Sequence, residues 1–126
     1  MPAVSEMRRI HVRSLGSRNP VAVVSRSHRN DETEALMQQL GIRDMREAGS
    51  ALKFCLIAEG EADIYPRIGR TMEWDIAAGD AVLRAAGGIV TKLDGSSLVY
   101  GRRDLEFACP DFVAFGDRAA ALKLAD

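Results

Sequence analysis

In "TMEWDIAAGDAVLRAAGG", Thr71 to Gly88, an acid follows the chain's only tryptophan, and most of what comes after it is alanine and glycine. A carboxylate in the first turn of a helix sits at the positive end of the helix dipole, which favours its ionised form by roughly 0.3–1 kcal/mol. Ionised, Asp75 offers what a hard cation requires of a ligand, an anionic oxygen. The same position suits a plain N-terminal acid that only stabilises its helix, and the local sequence leaves both readings open. Ala77, Ala78, Gly79 and Ala81 keep the helix thin, which predicts close packing behind Asp75.

Further candidates for chemistry are polar residues in apolar surroundings. Lys53 lies in "ALKFCLIA", a segment apolar nearly all round. Such a helix should be buried, so its lysine needs either a partner or an outlet along its own stem. Ser50 stands one turn earlier, near the helix start, where anions bind readily. "SRSH", Ser25 to His28, follows the apolar run "VAVV". That is the strand edge where ligands collect in open α/β sheets. Its hydroxyls and cation suit a phosphorylated or ribose-bearing ligand, or form a simple polar connection. Arg67, with Tyr65 on the other side of Pro66, either clamps a phosphate or base or lies exposed.

The elements that must hold these residues follow from periodicity and breakers. "RRIHVR" reads as a short strand. "VAVVSRSH" opens on four apolar, mostly β-branched residues, the pattern of a strand buried on both faces. "DETEALMQQLG" is a helix with capping-box spacing at Asp31 and Glu34 and a stop at Gly41. "IRDMREA" is a strand, "GSALKFCLIAEG" a helix capped by Ser50, and "ADIYPRIG" a short strand breaking at Pro66. "WDIAAGDAVLRAAGG" is a helix ending at Gly87. "GIVTKLDGSSLVYG" reads as a hairpin turning at Asp94-Gly95, and "DFVAFGD" as a last strand before a short terminal helix. Strands alternating with helices predict one layered αβα sandwich over residues 1–126, with a largely parallel sheet.

Bulk properties narrow the function classes. The chain has 126 residues, 47% of them hydrophobic and 28% charged, which suits one soluble domain. A net charge of -1 gives no general attraction to nucleic acid or membrane, so any anion site is local. No stretch approaches the roughly 20 apolar residues of a membrane span. Cys55, in the apolar "FCLIA", reads as a buried thiol and Cys109, before Pro110, as a turn residue. Two such cysteines form no disulfide framework and fit a reducing, cytoplasmic compartment. The chain has no "GxxxxGK", "GxSxG", "HExxH" or paired CxxC, so triphosphate hydrolysis, serine hydrolysis and structural zinc lack support.

In order, "VVSRSH", "GSALKFCLIAEGEADIYPRIG" and "MEWDIAAGDAVLRAAGG" resemble the C-terminal half of the CysQ-type 3'(2'),5'-bisphosphate nucleotidases. These belong to the inositol monophosphatase-like superfamily of magnesium-dependent, lithium-sensitive phosphatases. "WDxAAG" is the superfamily element, and "GSxLKFCLxAEGxADxYPR" favours the bisphosphate nucleotidase branch. The resemblance implies the smaller αβα domain of such an enzyme, which takes 3'-phosphoadenosine 5'-phosphate to AMP and phosphate in sulfur metabolism. It also implies that Asp75 is a Mg²⁺ ligand, that Ser50, Lys53 and Arg67 contact the nucleotide, and that the Ser25–His28 turn lies where adenosine is held.

Family members also carry an upstream acidic motif and a "DPxDGT" element. Neither occurs here: the only Asp-Gly, Asp94-Gly95, lies in the hairpin. Two-metal hydrolysis of a phosphate monoester needs carboxylates converging on both ions. The expectation is therefore a C-terminal portion, inactive alone, that needs a separate N-terminal half or self-associates through a bared interface. The alternatives are a fragment of an inositol monophosphatase-type enzyme and a non-catalytic nucleotide-binding α/β module.

Overall fold

The computed structural model describes residues 7–16, 18–25, 30–49, 51–119 and 121. Its strands are β1 (Val21–Ser25), β2 (Asp44–Ala48), β3 (Ile64–Arg67), β4 (Thr71–Met72), β5 (Ile89–Lys92), β6 (Ala108–Cys109) and β7 (Phe112–Phe115). Its helices are α1 (Asp31–Gln39), α2 (Leu52–Ala58) and α3 (Glu73–Ala85), with a 3₁₀ turn at Arg103–Leu105. The main sheet has the order β2-β1-β3-β7-β5, and β4 and β6 form a separate pair.

β2, β1 and β3 pair in parallel, while β7 runs antiparallel to both β3 and β5. All the main strands but β7 therefore point the same way. The sheet is mixed, and the layered α/β sandwich expected from the sequence is present. Alternate residues along each strand serve opposite faces. Val23, Tyr65, Phe112 and Ala114 join Phe54 and Ile57 of α2 and Ile76 and Leu83 of α3 on one face. Ala22, Ile64, Val113 and Phe115 meet Met37 of α1 on the other. "VAVVS" accordingly is buried almost throughout, as its apolar run required.

Local details depart from expectation. "RRIHVR" forms no strand. It is held instead by Val12 N–H donating to Ala86 O at 3.1 Å and by Arg13, whose Nε and Nη2 reach Asp63 at 3.1 and 2.9 Å. The cap of α1 is Asn30, one residue before Asp31, and its side chain accepts from Thr33 N–H at 2.9 Å. Pro66 does not break β3, which runs on to Arg67 with Pro66 opposite Val113 of β7. The Asp94-Gly95 turn forms, but beyond β5 the pairing continues only as a bridge of Thr91 to Ser97. The terminal helix falls mainly on residues outside those described. Both cysteines are free: Cys55 is only partly buried, and Cys109 is buried in β6 rather than in a turn.

The thin helix of the sequence reading resolves into one close approach. A Cβ at Gly79 would sit 2.7 Å from Phe54 Cγ, so glycine is what lets α3 lie against α2. Ala77, Ala78 and Ala81 are exposed and take no part in that contact. Gly87 ends α3 with φ 105°, as placed. Two buried acids of α3, a helix-face pair seven apart, secure the segment that follows β5. Glu73 accepts from the N–H groups of Gly101 and Arg102 at 2.6 and 3.0 Å. Asp80 accepts from Arg84 Nε at 2.6 Å and from the Tyr100 hydroxyl.

Candidate functional site

The carboxyl ends of β2, β1 and β3 lie side by side, and most of the candidate residues that can be placed collect there. Ser25 ends β1 opposite Ala48 of β2. Ala22 lies opposite Ile64, so Ser25 and Arg67, each three residues further on, lie level on adjacent strands. Ser25 is buried. His28 and Ser50 lie outside the described residues.

Lys53 does not snorkel. It is 2% exposed, and its Nζ donates to Ala48 O at 3.3 Å. The ammonium also stands 5.1 Å from the centroid of the Tyr65 ring. That is within cation–π range. No carboxylate among the described residues pairs with it. Burial, and after it the charge of Arg67, push its pKa below the ordinary 10.5. An ammonium offers three donors, and among the described residues one is used.

Arg67 is partly buried. Its Nη2 donates to Arg70 O at 3.1 Å, and its Nε is buried with no hydrogen-bond partner. Tyr65, two residues earlier on the same sheet face, is buried and close enough to this guanidinium to feel its charge. Burial raises the phenol to about 12, with Arg67 pulling in the other direction. The alternation in "ADIYPR" puts the side chains of Tyr65 and Arg67 on one face.

The helix-terminus reading of Ser50 and Lys53 gains nothing here, because α2 spans only seven residues and is preceded by Ala51 with no side-chain cap. Asp75 is exposed in the first turn of α3, and its Oδ2 accepts from Met72 N–H at 3.3 Å and Thr71 Oγ1 at 3.4 Å. It thus caps its own helix while keeping one oxygen uncommitted by any bond described. Among the described residues no three His, Cys, Asp or Glu side chains gather as a metal site. Asp75 does not make a Mg²⁺ site by itself, since that ion takes near-octahedral oxygen coordination, usually through one or two carboxylates plus substrate phosphates. No described helix is long and apolar enough to cross a membrane.

Chemically, the edge holds two cations, Lys53 and Arg67, with no counter-charge among the described residues. Burying charge without a partner is costly, and an anion seated between Lys53 and Arg67 would relieve both. The arrangement suits a phosphate group.

The model of the inositol monophosphatase family matches residues 3–120. An uncharacterised protein from the pss 5' region of Rhizobium leguminosarum is 60% identical over 79 residues, 60% of this chain and 83% of that protein. The 3'(2'),5'-bisphosphate nucleotidase CysQ of Salmonella typhimurium is 48% identical over 96 residues, 76% of this chain and 39% of the relative. The chain thus spans about two-fifths of the CysQ relatives it matches. The crystal structure of CysQ from Bacteroides thetaiotaomicron superposes with a TM-score of 0.71 at 41% identity, over 79% of this chain and 38% of that one. A Staphylococcus aureus inositol monophosphatase superposes at 0.72 with 19% identity, a likeness of fold. On the matched family model and these relatives, the chain belongs to the inositol monophosphatase family.

Proposed function

We propose that the chain is the nucleotide-binding portion of a magnesium-dependent phosphatase acting on 3'-phosphoadenosine 5'-phosphate, and that it binds this substrate without hydrolysing it unaided. One observation carries the reading: Lys53 and Arg67 stand near one another, buried or half-buried, with no acid paired to either among the described residues. Their place at the carboxyl edge of parallel strands is where such folds hold ligands. The bisphosphate nucleotidase branch is preferred because CysQ relatives reach 48% identity, against 19% for the inositol monophosphatase.

In this reading Lys53 and Arg67 neutralise one phosphate and orient the nucleotide. Ser25, Ser50 and His28 line the nucleoside side. Asp75 contributes one carboxylate to a Mg²⁺ site whose other ligands come from outside this chain. When bound, the metal polarises the phosphoryl group and activates water. The chain's own part is to bind and hold the substrate in line. We place the protein in the cytoplasm, where free Cys55 and Cys109 remain reduced.

Calorimetry with adenosine 3',5'-bisphosphate, without metal, tests binding: a Kd at or below about 1 mM corresponds to roughly -4 kcal/mol. Lys53→Met and Arg67→Ala should each weaken it at least tenfold. Mg²⁺-dependent phosphate release should be absent from the chain alone. It should return when the N-terminal portion of a CysQ relative is added, and Asp75→Asn should abolish it. Undetectable binding at millimolar ligand, or no release after reconstitution, overturns the proposal.

A further inference from the structure

We infer that Asn30 is a positioning residue for Arg67: its side-chain amide ties the start of α1 to the turn that follows β3, and that turn holds the guanidinium. The inference rests on the reading of Lys53 and Arg67 as a phosphate subsite.

The two ends of the Asn30 amide act separately. Oδ1 caps α1, accepting from Thr33 N–H and from Thr33 Oγ1, both at 2.9 Å. Nδ2 donates to Ile68 O at 2.8 Å, 38 residues further along the chain. Capping alone needs only the oxygen, which serine, threonine or aspartate also supplies. The amide nitrogen is what sets asparagine apart here, and its acceptor belongs to the residue next to Arg67. One side chain thereby links the connection leaving β1 to the turn leaving β3, strands that lie side by side.

The turn Ile68–Arg70 is also held from its other side. Asp111, one residue before β7, accepts from Gly69 N–H at 3.0 Å. Gly69 has φ 128°, a conformation open to glycine and strained for other residues. Within the turn, Arg70 O accepts from Arg67 Nη2 at 3.1 Å. The guanidinium is therefore fastened to a carbonyl whose turn is pinned at Ile68 and at Gly69. Ordering a long side chain costs conformational entropy, and ordering it before the ligand arrives strengthens binding. Among the described residues Arg67 Nε has no partner, which leaves it as a buried donor for a ligand oxygen.

The test separates the two ends of the amide. Asn30→Ser keeps an oxygen to cap α1 and removes the donor to Ile68 O, whereas Asn30→Ala removes both. Calorimetry with adenosine 3',5'-bisphosphate and, separately, inorganic phosphate should show affinity about threefold to tenfold weaker in both variants, the size of one neutral hydrogen bond. Thermal unfolding should tell them apart, with the larger fall in Asn30→Ala. Affinity that follows stability instead, falling in Asn30→Ala alone, reduces Asn30 to a cap. A loss seen only with the nucleotide places Asn30 on the nucleoside side and overturns the inference. A second measurement needs no ligand. The Arg67 Nε–H signal in ¹H–¹⁵N spectra, assigned by its absence from Arg67→Ala, should move in Asn30→Ser, and an unmoved signal sinks the idea. If Lys53→Met and Arg67→Ala weaken binding while Asn30→Ser does not, only this inference fails. If the parent binds neither probe, the phosphate-site reading fails and takes this one with it.

Discussion

Two groups of buried charge in this chain have opposite local balances. On α3, Glu73 and Asp80 are buried acids whose oxygens meet donors from Gly101, Arg102, Arg84 and Tyr100. On α2 and β3, Lys53 and Arg67 are cations that no acid among the described residues pairs, one with a lowered pKa and the other with an orphaned Nε. Charge that the chain satisfies internally becomes costly only when a partner is removed, while charge it leaves unsatisfied costs stability until a ligand arrives. The first group closes a loop over the fold; the second forms the ligand site we propose.

The contrast exposes itself to mutation. Asp80→Ala should cost the most, about 2–4 kcal/mol, because it removes the buried acceptor that the Arg84 guanidinium and the Tyr100 hydroxyl share. Arg84, which is 43% exposed, can rehydrate, and this keeps the loss from being larger. Thermal unfolding would register a fall on the order of 10 °C, and an unchanged midpoint would mean that Asp80 fastens nothing.

Gly79→Ala comes next, at roughly 1–3 kcal/mol, through the clash with Phe54. Phe54 also supports Tyr65, so stability and nucleotide binding should fall together. Binding that survived intact would separate the Phe54–Tyr65 contact from the site.

Lys53→Met should move the two properties in opposite directions. Binding should drop at least tenfold, while the ligand-free protein gains about 1 kcal/mol by losing an unpaired buried cation. A loss of stability instead would show that the ammonium is well satisfied where it lies. The same variant carries a pH signature. The folded pKa of Lys53 lies below its ordinary 10.5, so in that interval the unfolded chain holds more protons. Stability from this group therefore rises with pH up to about 10.5, whereas below the folded pKa the full penalty applies. Subtracting the Lys53→Met curve from the parent curve isolates the rise from Cys109 and the tyrosines, whose raised pKa values act in the reverse sense. A flat difference between pH 7 and about 10 would contradict the unpaired state.

Arg46→Ala should do least, no more than about 0.5 kcal/mol. Its 3.8 Å pair with Glu61 joins two half-exposed side chains. A large effect there would undo the distinction between buried and exposed charge on which the other predictions stand.

Much of this was legible along the chain. The β-branched run "VAVV" required burial on both faces, and β1 has it. Gly87 ended its helix, and "ALKFCLIA" forms the helix its apolar run predicted, with Lys53 buried in it. Capping was less legible: Asp31 and Asn30 both suit a cap, and the choice fell to Asn30, whose Nδ2 also donates to Ile68 O at 2.8 Å. "RRIHVR" alternates like a strand, yet Arg13 is drawn to Asp63, which also meets Arg18 and Val21 N–H. Burial works against the ionised Asp63 carboxyl, and these donors outweigh it and hold its pKa below 3.8.

By itself, the sequence determined the α/β class, the principal strands and helices and the residue types able to meet a phosphate, because periodicity and breakers act over a few residues. Only the tertiary structure decided that Lys53 meets no acid among the described residues, that its ammonium stands over the Tyr65 ring, and that Asp80 meets Tyr100. Whether a buried charge is paired depends on residues brought together from distant positions, and no local pattern encodes that.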